Sequence, residues 1–130
     1  MTGDSISNFI ISLKNAGMAG KKSVSISYSK IKYAIAVTLS KKGYVGAVAK
    51  RRKKEKKFID IDLLYKNKKA RINNVERISK LSKRVYFSVK EIRPVKRGFG
   101  SLIISTPKGV LSDDECRKKN VGGEALFRIW

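Results

Sequence analysis

The sequence contains no histidine and a single cysteine, Cys116. These shortages exclude the common zinc-binding sets, and they exclude nucleophilic catalysis by Ser-His or Cys-His pairs. One cysteine cannot form an internal disulfide, which fits a reducing compartment. We therefore expect no metal and no other cofactor, and we interpret Cys116 as a small core residue rather than a reactive thiol.

Long apolar runs are missing as well. No stretch approaches the roughly 18 apolar residues of a membrane span. Residues 1–4 carry no basic region of the kind that opens a secretory signal. We therefore expect no membrane association and a cytoplasmic location, and an organellar origin stays open.

Acidic residues are scarce, since 10 Asp and Glu stand against 31 Lys and Arg, and the formal net charge is +21. A free protein gains little from such self-repulsion, whereas a polyanionic partner would offset it. Nucleic acid is the first candidate, because closely spaced phosphates reward clustered cations through counterion release. An anionic membrane is the second candidate. With 42% hydrophobic residues in 130 positions, the chain can build one core or two small lobes.

The hydrophobic pattern predicts an α+β fold of two small lobes. Residues 1–66 form the first lobe, with the order helix, strand, helix, strand, strand. Asp4 is the predicted N-cap of the first helix, and Ser29 caps the second, which ends before Gly43. The remaining predicted elements are a helix over residues 5–16 and strands over residues 23–28, 44–49 and 58–64.

Residues 67–130 form the second lobe, which is predicted to be mostly β with one short helix. Ser112 and Glu115 form a capping box, so this helix begins there and runs to Lys119. The strands are predicted within residues 70–79, 84–88, 101–105 and 124–130. In the last strand, alternation predicts one face of Ala125, Phe127 and Ile129 and an opposite face of Leu126, Arg128 and Trp130.

Residues 50–57 form a run of cations interrupted only by Glu55. The run lies between two predicted strands and is therefore interpreted as the tip of a hairpin. It is either a solvated loop or a segment that binds phosphates without sequence preference. In a chain of this charge we favour phosphate binding, which would supply affinity rather than sequence specificity.

Two pairs of carboxylates raise the question of catalysis. Asp60 and Asp62 alternate along a predicted strand, so both lie on its exposed face, and surface ion pairing explains them better than acid–base or magnesium chemistry. Asp113 and Asp114 suit the first turn of the short helix. A metal-dependent hydrolase or nuclease is therefore the weaker interpretation, and we expect no enzyme.

The turn at residues 105–109 is the strongest candidate for function. It follows a strand of buried type and offers two hydroxyls, one lysine and a glycine whose backbone can approach a ligand closely. It holds no convincing nucleophile, base or metal ligand. The turn is therefore suited to binding a polar surface.

Two further sets of residues suit phosphate binding. Lys14 and Asn15 lie near the end of the first predicted helix, where they are either a solvated face or phosphate contacts. Lys30 and Lys32 lie in the first turn of the second helix, the unfavourable end of the helix dipole for a cation. A phosphate held there, beside Ser29, would offset that cost.

Several short motifs occur in a characteristic order along the chain. They are Asn15-Ala16, Ser29-Lys30-Ile31-Lys32, Ile78-Ser79, Arg84-Val85-Tyr86, Gly98-Phe99-Gly100 and, most specifically, Ser105-Thr106-x-Lys108-Gly109-Val110-Leu111-Ser112-Asp113 followed by Gly122-Gly123-Glu124. With these motifs, nearly the whole chain resembles the eighth protein of the small ribosomal subunit in its bacterial-type form.

The resemblance implies a two-lobe, non-enzymatic structural constituent of the small ribosomal subunit. It implies a primary binder of the central domain of 16S-type ribosomal RNA that helps to assemble the subunit platform. The second lobe would make most of the specific contacts, and the first would add backbone contacts. The implied partners are this RNA and neighbouring small-subunit proteins, without a homo-oligomer. Because the family represses its own operon in some bacteria, the protein's own messenger RNA is a further expected ligand.

The resemblance also implies which residues meet the RNA. The turn at residues 105–109 would face bases and sugar-phosphate in the shallow groove, with Tyr86 and Glu124 beside it. Small hydroxyls and a glycine backbone suit that groove, which is lined by 2′-hydroxyls. The full predicted set of RNA-binding residues is Lys14, Asn15, Ser29, Lys30, Lys32, Arg84, Tyr86, Ser105, Thr106, Pro107, Lys108, Gly109 and Glu124.

Three positions depart from the family. A second serine is usual at Pro107, so a hydroxyl and a backbone N–H are missing there, and Pro107 would instead pack on a base or sugar. Leu81 and Ser82 replace a common Pro-Gly turn. Lys14 replaces a common arginine, which keeps the charge and loses the planar fork.

The alternative is a basic protein that binds DNA or another non-ribosomal nucleic acid. A DNA-binding protein of this kind would carry Asn, Gln or Arg on the exposed face of a recognition helix. Neither long predicted helix shows such a face convincingly.

Overall fold

The computed structural model describes residues 5–130. They form two compact units, of which the first ends at Asn73 and the second comprises Asn74–Trp130. Both units combine helices with antiparallel strands, so the predicted α+β class is confirmed. The predicted N-cap Asp4 lies outside the described residues.

The first unit has the predicted order of helix, strand, helix, strand, strand, followed by a short hairpin. Its elements are α1 (Ser5–Met18), β1 (Ser23–Ser27), α2 (Lys30–Lys41), β2 (Val45–Lys53), β3 (Lys56–Leu63), β4 (Tyr65–Lys66) and β5 (Lys69–Ala70). The strands β1, β3 and β2 form an antiparallel sheet in that order, and β4 pairs with β5.

An apolar layer between the helices and the central strand holds the first unit together. Helical spacing of three to four residues places the apolar residues of α1 and α2 on one face, and alternation places those of β3 on one side. The buried side chains are Phe9, Ile10 and Leu13 of α1, Ile35 and Leu39 of α2, and Ile59 and Ile61 of β3. Asp60 and Asp62 lie on the other, less buried side of β3, as predicted.

The division between the units follows Asn73, whereas the sequence pattern placed it after Lys66. The hairpin of β4 and β5 spans the predicted boundary. The Arg71 N–H then donates to the Leu64 carbonyl at 2.9 Å and continues this pairing. Backbone hydrogen bonds therefore keep the polar segment with the first unit.

The lysine-rich run is paired strand rather than loop. β2 and β3 enclose a turn of only two residues, Lys54 and Glu55. The predicted hairpin is confirmed, whereas the predicted tip over residues 50–57 is wrong, because backbone pairing continues almost to the turn. The outermost register pairs are Arg51 with Phe58, Arg52 with Lys57 and Lys53 with Lys56.

The second unit is mostly β with one short helix, as predicted. Its elements are β6 (Val75–Arg77), β7 (Tyr86–Phe87), β8 (Ser101–Thr106), β9 (Gly109–Ser112), α3 (Asp113–Lys119) and β10 (Gly123–Ile129), with single 3₁₀ turns at Val89–Glu91 and Lys96–Gly98. The sheet order is β6-β10-β8-β9, and β7 also pairs with β10. β6 and β7 are shorter than the predicted strands over residues 70–79 and 84–88, because only those few residues align with β10.

The predicted capping box at the start of α3 is confirmed. The Ser112 N–H donates to Glu115 Oε1 at 3.1 Å. Asp113 is buried, accepts from the Leu102 N–H at 3.2 Å and pairs with Arg117 at 3.0 Å. These acids therefore have structural partners, as the sequence predicted.

Cys116 of α3 belongs to the core of the second unit. It is fully buried against apolar neighbours that include Leu102, Ile104 and Ala125. Burial, and then the negative charge of Asp113, raises the pKa of the Cys116 thiol to about 11. The thiolate form is therefore rare at neutral pH, which confirms the interpretation of Cys116 as a core residue.

A bulge interrupts the alternation of β10. The pairing with β8 shifts between Ala125 and Phe127, and the intervening Leu126 is also buried, with 2% of its surface exposed. The predicted outward position of Leu126 is therefore wrong. An extra residue in one strand changes which face each following side chain occupies.

Residues 95–100 form a tight basic loop at the far end of β8 from residues 105–106. Lys96 and Arg97 have φ angles of +50° and +54°. The Lys96 ammonium lies 4.6 Å from the ring centroid of Trp130, which follows β10. Phe99 is 82% exposed.

Within residues 5–130, no helix has the length and apolar character needed to cross a bilayer. Over the same residues, no group of three or more His, Cys, Asp or Glu side chains is arranged to hold a metal ion.

Candidate nucleic-acid interface

A tight turn joins β8 to β9 and contains the strongest sequence candidates. Thr106 pairs with Gly109 across it. The Thr106 hydroxyl donates to the Gly109 carbonyl at 2.7 Å and accepts from the Lys108 N–H at 3.0 Å. Gly109 has a φ of +109°, a conformation that favours glycine. The Thr106 side chain therefore fixes the turn and leaves residues 107–109 exposed.

Pro107 occupies the second position of this four-residue turn. A proline suits that position because its φ is fixed at about −65°. The turn is closed by the side chain of Thr106 and by pairing with Gly109, so it needs no N–H from Pro107. The backbone therefore accommodates a proline at this position, and Pro107 stiffens the exposed turn.

A row of residues crosses four strands beside the turn. Tyr86 of β7 is opposite Glu124 of β10, and Glu124 is opposite Ser105 of β8. Ser105 is in turn opposite Val110 of β9. Directly opposed residues of antiparallel strands point to the same face. The structure therefore brings Tyr86, which is 66% exposed, and Glu124 onto one face with Ser105.

Gly122 and Gly123 allow these strands to approach each other. A Cβ atom on Gly123 would overlap the carbonyl oxygen of Ser105, and one on Gly122 would overlap that of Phe87. β10 can therefore begin between β7 and β8 only without side chains at these two positions. Glu124 is the next residue, and its side chain is the first of β10 to enter the row.

Arg84 balances the charge of Glu124. Its Nη1 lies 3.1 Å from Glu124 Oε2, and the side chains are 48% and 15% exposed, respectively. Two predicted site residues are therefore partners of each other. This pairing reduces the repulsion that the Glu124 carboxylate would exert on a phosphate.

In the first unit, three predicted residues meet at the start of α2. The Ser29 Oγ accepts from the Lys32 N–H at 3.2 Å, which confirms Ser29 as the N-cap. The Lys32 ammonium donates to Ser27 Oγ at 3.1 Å, and Lys30 is exposed. The first turn of α2 contains no acidic residue, so its positive end and its cations act together.

Lys14 and Asn15 lie on α1, one turn before its end. The helix continues to Met18 and not only to residue 16, so these residues belong to its body. Lys14 is half-buried and Asn15 is exposed. Asn15 borders a shallow depression that Lys21 also lines.

The sequence did not predict a cluster of two aromatic rings and a cation in the first unit. The ring centroids of Tyr28 and Tyr33 are 6.1 Å apart. The Lys50 ammonium lies 4.6 Å from the Tyr33 centroid and 5.6 Å from that of Tyr28. One tyrosine lies on each side of the motif at residues 29–32. This pattern could have indicated the cluster, because interleaved aromatic and basic residues are typical of nucleic-acid contacts.

Asp60 is used for surface pairing, as predicted. Arg51 Nε lies 2.7 Å from Asp60 Oδ2, and the same guanidinium donates to Ser25 Oγ at 2.8 Å. Hydrogen bonds from Arg51 and then from Ser25 lower the pKa of Asp60. The carboxylate therefore stays ionised at neutral pH, which is unsuited to general-acid catalysis.

Comparison with known proteins relates the chain to proteins of the small ribosomal subunit. The model of the family described as ribosomal protein S8 matches residues 4–130. The chain is 40% identical over 134 residues to a small ribosomal subunit protein uS8 from Nitratiruptor sp., and 40% identical over 131 residues to one from Campylobacter lari, with 100% of each chain covered. It is also 40% identical over 128 residues to a protein of the same name from Mycoplasmopsis synoviae, covering 98% of this chain and 97% of the relative.

Proposed function

Because the chain belongs to the ribosomal protein S8 family, whose members are structural proteins of the small ribosomal subunit, we propose that it is a primary ribosomal RNA-binding protein. It binds the central domain of 16S-type RNA in the small subunit and helps to assemble the platform. Its role is structural, not enzymatic.

The observation that carries this proposal is the cross-strand row beside the exposed turn. Ser105, Tyr86 and the paired Glu124 share one face, and residues 107–109 project next to it. The shallow groove of A-form RNA presents 2′-hydroxyls and base edges to small polar groups. Tyr86 adds an exposed ring on which a base or sugar can stack.

The first unit supplies contacts to the RNA backbone. Ser29, Lys30 and Lys32 place a helix N-terminus and two cations together, an arrangement suited to phosphate. Lys14 and Asn15 add a second polar site on α1. These groups carry no base readout, so they position the protein and do not specify the sequence.

The proposed partners are the small-subunit ribosomal RNA and the neighbouring small-subunit proteins, in cytoplasmic ribosomes. A messenger RNA with a similar fold would fit the same face, so repression of the protein's own operon follows as part of the proposal. A basic DNA-binding protein is the alternative, and duplex DNA therefore serves as a competitor in the test.

Replacing the hydroxyls of the turn tests the proposal. We expect Ser105→Ala to weaken binding to a transcript of the central domain by about 0.5–1.5 kcal/mol, the net value of one hydrogen bond. Thr106→Ala should cost more, because the Thr106 hydroxyl also closes the turn. Filter binding across a salt series should show an unchanged salt dependence for both variants, since no charge is removed.

Ser23→Ala, at an exposed serine of β1, is the matched control, and Thr106→Ser should restore affinity by restoring the hydroxyl. If Ser105→Ala and Thr106→Ala both bind as tightly as the wild type, the face has been assigned wrongly. Equal binding of duplex DNA and the cognate transcript by the wild type would favour the alternative.

A further inference from the structure

The outer end of the β2–β3 hairpin extends beyond the third strand of its sheet. Register pairing of β1 with β3 ends at Ser27 and Phe58, and one further bond joins the Tyr28 N–H to the Lys57 carbonyl at 3.0 Å, whereas pairing of β2 with β3 continues to Lys53 and Lys56. Beyond that bond the hairpin is two-stranded, and its outer residues 52–57 are called here the basic ribbon. It consists of five cations and one glutamate and contains no apolar side chain.

The register of the basic ribbon is unfavourable for the free protein. Arg52 is opposite Lys57, and Lys53 is opposite Lys56. Like charges placed directly opposite each other destabilise an antiparallel pair. A two-stranded ribbon without an apolar face has little to offset that cost. The arrangement therefore favours a counter-charge from outside the chain.

Cations at the root of the hairpin have partners within the chain, whereas most of those in the ribbon do not; the exception is Lys57, whose ammonium lies 5.7 Å from the Tyr28 ring centroid. Arg51 pairs with Asp60 at 2.7 Å. In contrast, Lys53, Lys54 and Lys56 are exposed, and none of them forms an ion pair with an acid within residues 5–130. The ribbon therefore holds several adjacent cations without an acidic partner among the described residues.

The ribbon carries cations on both faces. Alternation along paired strands puts Arg52 and Lys57 on one face and Lys53 and Lys56 on the other. A flat anionic surface would neutralise one face and leave the other unpaired. A groove with phosphates on both walls would neutralise both.

We propose that the basic ribbon inserts into a phosphate-lined groove of structured RNA, as a contact separate from the turn at residues 105–109. The inference rests on the proposed function only in taking RNA as the ligand. Lysine is a point charge without a recognition fork, so the ribbon contributes affinity and not sequence preference.

Neutralising one face at a time tests the insertion. The variants are Lys53→Gln with Lys56→Gln for one face, and Arg52→Gln with Lys57→Gln for the other. The probe is a transcript of the central domain of the organism's own small-subunit RNA, measured over a series of salt concentrations. We expect each pair to reduce the slope of log affinity against log salt by about 1.8, and both pairs together by about 3.6.

Lys118→Gln with Lys119→Gln is the matched control, because it removes the same charge from exposed positions of α3. Its slope should change by clearly less. A slope that changes for only one face overturns the groove geometry, and an equal change in the control overturns a specific role of the ribbon. Variants that lose cosedimentation with ribosomal subunits while keeping the wild-type slope on RNA would assign the ribbon to an acidic protein, which also overturns the proposal.

The two proposals fail differently. If the wild type does not prefer its cognate transcript to an unrelated RNA, the proposed function fails whatever the ribbon variants do. If the preference holds and Ser105→Ala weakens it, but both face variants keep the wild-type slope, only the ribbon inference fails.

Discussion

Arg84 and Glu124 show how a negative charge can be balanced on the surface that we propose to face RNA. The carboxylate lies in the row with Tyr86 and Ser105 and is mostly buried, with the Arg84 guanidinium 3.1 Å away. Removing one partner leaves the other charge without compensation. The pair therefore controls the electrostatic potential of the face.

A double-mutant cycle measures the energetic coupling between Arg84 and Glu124. Arg84→Gln should weaken RNA binding, because it removes a cation and exposes the phosphates to the unpaired Glu124. Adding Glu124→Gln should recover part of the loss, with a coupling of about 0.2–1 kcal/mol for a partly exposed pair. Isothermal titration of the four proteins with one transcript gives the coupling, and strictly additive effects would contradict it.

Residue types alone identified the turn, but not the role of each residue in it. Thr106 was expected to meet the ligand, whereas its hydroxyl closes the turn. The partnership of Arg84 with Glu124 depends on the register of β7 and β10, which are distant in sequence. Local patterns therefore indicate candidate residues, and only the strand pairing shows which of these candidates lie together.

At the level of elements, we expect the basic ribbon to lower the stability of the free protein and to raise its affinity for RNA. We expect Lys56→Glu to stabilise the free protein, because it places a negative charge opposite Lys53. An opposed pair of unlike charges is worth about 0.2–1 kcal/mol. Thermal unfolding followed by circular dichroism should show a higher Tm, and the same variant should bind RNA more weakly at low salt.

Lys119→Glu is a suitable control for the opposite effects on Tm and on RNA affinity, because it makes the same charge change in the last turn of α3. It should not raise the Tm, since a carboxylate is unfavourable at a helix C-terminus. A Tm for Lys56→Glu at or below that of the wild type would show that the like-charge pairs do not destabilise the free protein.

The hairpin of β2 and β3 was predicted, but its length was not. Turns of two residues are usually recognised by Asn-Gly or Asp-Gly, and here Lys54 adopts a φ of +53° before Glu55. Lysine gives no turn signal of this kind, and it also lacks the apolar alternation of a half-buried strand. The bulge at Leu126 was not predicted either, because it arises from the pairing of β10 with β8 and not from the local sequence.

At the level of the whole molecule, charge dominates the response to pH. Acidification protonates the 10 acids, so the net charge rises from +21 to +31 and self-repulsion increases. Hydrogen bonds lower the pKa of Asp60 and of Glu91 below 3.8 and 4.5, their ordinary values. The stability that each contributes is present above those values and is lost as pH falls through the lowered pKa.

We therefore expect the Tm to fall steeply once the pH drops below about 4, the ordinary range of these carboxyls. Calorimetry at a series of pH values measures the effect. Asp60→Asn should weaken the pH dependence, because one of the shifted carboxyls is removed. Added sulfate should offset part of the loss by screening the excess positive charge. A Tm that is constant between pH 7 and 3 would contradict this account.

The class of partner was accessible from composition, since a net charge of +21 in a chain with enough apolar residues to fold favours a polyanion. Composition could not distinguish a surface that attracts RNA from one that discriminates between RNAs. The different roles that we propose for the two surfaces rest on the strand pairing, which defines the hydroxyl-bearing turn of the second unit and the basic ribbon of the first.

The position of Trp130 gives the two units different optical signals. It is the only tryptophan, it belongs to the second unit, and the Lys96 ammonium lies over its ring. Four of the five tyrosines belong to the first unit. Tryptophan emission therefore follows the second unit, while tyrosine emission follows mainly the first, and the unfolding of each unit can be observed in one unlabelled sample.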